Sequence, residues 1–101
     1  MERAIEMAHV IIEPTRLKIL QTLIGGSKYI GKIAEAIGED RSTVSYHLGV
    51  LEKNDFVSSE YHIIREPKSS GVAARVYQVN TQKLREAVKE IQKLPQEFLK
   101  D

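Results

Sequence analysis

The chain contains no cysteine. That absence excludes a disulfide framework, a thiolate zinc site and a cysteine nucleophile. No apolar run approaches the roughly 18 residues of a membrane span, and Met1 leads directly into a charged amphipathic stretch instead of a signal sequence. A cytoplasmic protein with no membrane partner is therefore expected. A surplus of one charge is also lacking: 15 basic residues face 14 acidic ones, for a net charge of +1, so any positive surface must arise from segregation of charge. There is no glycine-rich phosphate loop, no paired carboxylate set in apolar surroundings and no nucleophile arrangement built on His, so no enzyme is expected.

What is present suits one globular domain spanning residues 1–101. Hydrophobic residues make up 42% of the chain and charged residues 29%, enough to form a core, while the small size means that pairing with a second copy would add useful burial. Eleven Glu against three Asp, with eleven Ile, lean toward a thermophile's composition.

The most informative stretch is residues 40–53. Asp40 has the chemistry of a helix N-cap, and Val44, Leu48 and Leu51 at i, i+4 and i+7 form a narrow apolar seam. The opposite face carries Arg41, Ser42, Thr43, Ser45 and Tyr46, short donors and acceptors with one guanidinium, a mixture suited to base edges and phosphate oxygens. A capped surface helix alone would show much the same, so the neighbouring segments decide its meaning.

Before it, residues 2–12 place Ile5, Ala8 and Ile12 near one helical face, with Met7, Val10 and Ile11 widening the apolar surface, which suggests two packing partners. Glu13-Pro14 breaks that pattern and starts a second helix running to about Ile24, stopped by Gly25-Gly26. Tyr29 and Ile30 read as an extended bridge. Gly31 is the expected N-cap of a third helix carrying Ile33, Ala34 and Ile37, which ends at Gly38. A short helix, a tight turn and a capped second helix make residues 31–53 a helix-turn-helix, in which the small Ala34 lets the pair cross closely.

After it, residues 56–79 turn to β character: Phe56, Val57, Tyr61, Ile63 and Ile64, then Val72, Val76, Tyr77 and Val79, around turn residues 65–71. Arg65, Lys68 and Arg75 are expected on or beside the hairpin tip, in reach of phosphates or a minor groove, although charge that merely protects sheet edges would look similar. Asn80 is placed to cap a final helix from Thr81 to about Leu94, with Leu84, Ala87, Val88, Ile91 and Leu94 on one face. Pro95 should end it, leaving a frayed tail. The helices at 1–12 and 81–95 are candidate dimerisation elements through Ile5, Ala8, Ile12, Leu84, Val88, Ile91 and Leu94; the alternative is that they only cover their own domain.

Glu13-Pro14-Thr15-Arg16-Leu17-Lys18-Ile19-Leu20 resembles the opening motif of the ArsR/SmtB winged-helix repressors. Residues 33–38 followed by Ser42-Thr43-Val44-Ser45-Tyr46-His47-Leu48-Gly49-Val50-Leu51 are similar to that family's helix-turn-helix, and the likeness covers roughly residues 13–80. It implies an α+β, mostly helical winged helix-turn-helix fold with additional terminal helices, acting as a homodimeric regulator on double-stranded DNA. Arg41, Ser42, Thr43, Ser45, Tyr46 and His47 would then lie in the DNA-contacting helix, and Arg65, Lys68 and Arg75 in the wing. Many relatives sense metals through cysteines around the helix-turn-helix or through His and acidic residues on the last helix. Here the segment before the third helix is Ser27-Lys28-Tyr29-Ile30-Gly31, the last helix has no His, and His9, His47 and His62 lack ligand spacing, so no metal or other cofactor is expected. The rival readings are a winged-helix module for protein contact and an architectural DNA-binding protein without sequence preference.

Overall fold

The computed structural model describes residues 1–64 and 71–99. Among these, the elements follow in the order α1 (Glu2–Ile11), α2 (Pro14–Ile24), β1 (Lys28–Tyr29), α3 (Ile30–Ile37), α4 (Arg41–Lys53), β2 (Val57–Ile64), β3 (Val72–Val79), α5 (Thr81–Gln92) and α6 (Leu94–Phe98). This is the mostly helical winged helix-turn-helix arrangement, with helices added at both ends.

Local chemistry sets most boundaries. Pro14 holds Glu13 extended at φ −60° and ψ 132°, and the Glu13 carboxylate accepts from the backbone N–H of Thr15 (3.1 Å) and Arg16 (2.9 Å) to cap α2. Gly38 ends α3 in the left-handed conformation, φ 71°, where a Cβ would be strained, and its N–H reaches the Ala34 carbonyl at 2.9 Å. Asn80 caps α5 by accepting from the Lys83 N–H at 3.1 Å.

Three expected boundaries are corrected. Tyr29, not Gly31, is the N-cap residue of α3, and Ile30 is already helical because β1 needs only Lys28 and Tyr29 to pair with β3. The last long helix stops at Gln92. Pro95 does not begin a frayed tail; its fixed φ suits the first turn of the short α6 in which it stands.

The core lies where α2, α3 and α4 meet the root of the sheet. Ile19, Leu20, Leu23, Ile33, Val44, Leu48, Leu51, Phe56, Val57 and Tyr77 are buried, each large apolar side chain contributing about 1.5–3 kcal/mol of burial. β3 is the central strand of an antiparallel sheet ordered β1-β3-β2, with Val57 opposite Val79 and Ile64 opposite Val72. α1 turns Ala4, Met7 and Ile11 inward, leaving Ile5 and Ile12 about half exposed at 46% and 52%.

Candidate nucleic-acid interface

α4 is fixed by its seam and its cap. Val44, Leu48 and Leu51 are fully buried, while Asp40 Oδ1 accepts from the Thr43 N–H at 2.7 Å and the Ser42 hydroxyl at 2.9 Å. Those bonds from Thr43 first, then Ser42, hold the Asp40 carboxyl below its ordinary value, as expected where backbone N–H groups favour the charged form. Away from the seam, Arg41, Ser42, Ser45 and Tyr46 are exposed and Thr43 is half-buried, with Tyr46 reaching 65% exposure. The Arg41 guanidinium lies back over Gly31 at the start of α3; a Cβ on that glycine would stand 2.7 Å from Nη2.

His47, which the resemblance places in the DNA-contacting helix, stands in α4 but turns away from this face. One residue past Tyr46, it turns toward the α1–α2 corner: its Nδ1 lies 3.0 Å from Arg16 Nη1 and 3.5 Å from Glu13 Oε2. Arg16 is itself buried, 7% exposed, and donates through Nε to the Val10 carbonyl and through Nη2 to the His9 carbonyl (3.2 Å). These are carbonyls of the last turn of α1, which lack intrahelical partners. One guanidinium thus ties α1, α2 and α4 together, with Nδ1 of His47 as its third contact. Burial acts to raise the Glu13 carboxyl, but bonds from the Arg16 and Thr15 N–H groups, with the charges of His47 and Arg16, outweigh it and leave the group below its ordinary value.

The hairpin register corrects the place of Arg75. It stands opposite Tyr61, four residues along from Gly71, and its Nη2 donates to Glu52 Oε1 of α4 at 2.9 Å. Arg65 and Lys68 lie outside the described residues. Burial pushes the hydroxyl of Tyr77, beside Arg75, above its ordinary value. His9 is exposed and His62 pairs with Glu60 at 2.9 Å, so the three histidines stand apart on α1, α4 and β2.

The terminal helices offer a divided surface. Ile5, Ile12 and Val88 are exposed, Ala8 and Leu94 are half-buried, and Leu84 and Ile91 pack partly against their own core. Reading the sequence by apolar period alone overlooked Glu13, Arg16, Glu52 and Ser59. For Arg16 a signal existed: it falls in the row Arg16, Ile19, Leu20, Leu23, and a cation in the buried stripe of a helix requires partners.

A bracing helix, a capped and presented second helix, and a two-stranded wing define a winged helix-turn-helix protein. A family model for a helix-turn-helix domain matches residues 11–60. The transcriptional repressor SdpR of Bacillus subtilis (strain 168) is 40% identical over 48 residues, which is 48% of this chain and 53% of that protein, so the match spans about half of each. Among solved structures, a possible transcriptional regulator for arsenical resistance superimposes with a TM-score of 0.65 at 25% identity, covering 94% of this chain and 85% of the other. The homodimeric winged helix-turn-helix DNA-binding domain of Mb0332 from Mycobacterium bovis gives 0.65 at 22% identity over 97% and 82% of the two chains. By fold and by these matches the chain is a winged helix-turn-helix protein similar to transcriptional regulators.

Proposed function

We propose that the chain is a homodimeric, ArsR/SmtB-like repressor-type regulator that reads double-stranded DNA with α4 in the major groove. The observation carrying this reading is the division of α4: Val44, Leu48 and Leu51 are wholly buried, while Arg41, Ser42, Ser45 and Tyr46 stand outward on a helix whose N-terminus is fixed by Asp40. Thr43 belongs to the same contact set. Short hydroxyls and a guanidinium on one rigid helix match the mixture of phosphate and base-edge acceptors in a groove. Arg65 and Lys68 supply wing contacts to flanking phosphates in this scheme. His47 is left as a brace for α4.

The outward faces of α1 and α5, with Ile5, Ile12 and Val88 at their most exposed points, form the pairing surface. Two copies would present their α4 helices to half-sites roughly 34–36 Å apart on a pseudo-palindrome. SdpR is a repressor and the Mb0332 domain a homodimer, and both support this reading.

A module for protein contact is the rival, favoured by Tyr61 and Ile63, exposed apolar side chains on the hairpin. Selection of bound sequences from a random duplex pool, followed by shift assays at two salt concentrations, separates the two. A palindromic motif with steep salt dependence is expected. Absence of any enriched sequence would favour the rival.

A further inference from the structure

The hairpin meets α4 through one closed polar cluster. Arg75 Nη2 donates to Glu52 Oε1 at 2.9 Å and Arg75 Nε to Ser59 Oγ at 2.8 Å, while the Ser59 hydroxyl donates to Glu52 Oε2 at 2.7 Å. Both carboxylate oxygens and two points of the guanidinium are engaged within the cluster. The three side chains come from α4, β2 and β3. Val57, Ser59 and Tyr61 alternate along the strand face that Val79, Tyr77 and Arg75 share from the other side, so the cluster sits where the inner face of the sheet leaves the core. Beyond it, Tyr61 is 73% exposed. The Arg75 guanidinium carbon also lies 5.4 Å from the centre of the Tyr77 ring, which is buried.

Two features argue against Arg75 as a phosphate ligand. Glu52 stands in the last turn of α4, where the negative end of the helix dipole disfavours a carboxylate, and Arg75 is the cation that offsets it. With its charge matched by Glu52, Arg75 adds little to the field that displaces counterions from DNA. An exposed ion pair gives little stability, and what a closed three-way cluster supplies is a fixed angle between two elements. We propose that Arg75, Glu52 and Ser59 are positioning residues that set the bearing of the wing on α4. The proposal rests on the DNA-binding reading above.

The sign of one substitution tests it. Removing a carboxylate from a DNA-binding protein ordinarily tightens binding, because a repulsive charge is lost. Here Glu52→Gln is expected to weaken binding to a duplex enriched from a random pool by roughly three- to thirtyfold. Arg75→Gln should weaken it by a similar factor, the double variant no further than either alone, and Ser59→Ala in the same direction. The slope of log affinity against log salt should stay at the wild-type value for all four, and thermal unfolding should verify that each is folded. Tighter or unchanged binding by Glu52→Gln overturns the proposal, as does a loss of about one unit of salt slope in Arg75→Gln, the mark of a phosphate contact. If the unmodified protein shows no salt-dependent binding to any duplex, the DNA reading itself fails and the proposal with it.

Discussion

Replacing Arg16 with Met keeps most of the side-chain length and its apolar stem but removes every donor. Three acceptors lose a partner: the carbonyls of His9 and Val10, and Nδ1 of His47. An acceptor left unpaired in a buried setting costs about 1–3 kcal/mol. The site is only partly closed, so water recovers some of that loss, and a total of roughly 2–4 kcal/mol is expected. For a domain of this size each 1 kcal/mol moves the midpoint by about 4–8 °C, so thermal unfolding followed by circular dichroism should drop by roughly 10–25 °C. Arg16→Lys should recover less than half of the loss, because an ammonium cannot present the planar fork that reaches three acceptors. The link to α4 is tested by a cycle with His47→Ala. Coupling of about 0.5–1.5 kcal/mol is expected, whereas strict additivity would show that the two side chains are merely adjacent. A loss under about 1 kcal/mol for Arg16→Met would refute the claim that this guanidinium fastens the corner.

Glu13 yields a pH prediction. Its folded carboxyl lies below the ordinary value of 4.5, so its stabilisation is complete above that pH and is lost as the pH falls through the lower folded value. Glu13→Gln should flatten that part of the acid limb in urea titrations; an unchanged limb would assign acid sensitivity elsewhere. Ile5→Glu places a charge on the outward face of α1 without entering the core, and sedimentation should shift toward monomer; an unchanged species would rule out that surface. Tyr46→Ala should reduce discrimination between enriched and random duplex by roughly 1–3 kcal/mol, whereas Lys68→Ala should weaken both alike and lower the salt slope by about one unit. Equal losses for Tyr46→Ala on both duplexes would argue against base contact.

The presented helix was legible because its signals agree: Asp40 caps it, the spacing of Val44, Leu48 and Leu51 gives its buried side, and Gly38 stops the helix before it. α1 was harder. Its apolar residues surround too much of the cylinder to fix a phase, and only packing against α2 and α5 selects Ala4, Met7 and Ile11 over Ile5, Ala8 and Ile12 as the inward row. Arg75 was misplaced toward the tip because the cross-strand register of a hairpin depends on its turn geometry, which residues 65–71 do not specify by composition. His47 entered the DNA-contacting set only through the resemblance. Nothing in helical spacing reveals that Arg16, far away in sequence, needs its imidazole as a third acceptor.

The placement of β3 between a two-residue partner and an eight-residue partner makes the hairpin a beam clamped at one end. At its root β1 adds a third strand beside Val76 and Tyr77, and Val57 and Tyr77 are set into the core. Further out, among the described residues, two strands remain, with Ile63 and Val72 more than half exposed, and a two-stranded ribbon twists and yields more readily than a three-stranded sheet. Amide hydrogens should accordingly exchange slowly near Val57 and Tyr77 and faster by degrees toward Ile63 and Val72. Among the described residues, the strand segments beyond β1 thus rest on cross-strand pairing, while the root beside α4 is held by the core as well.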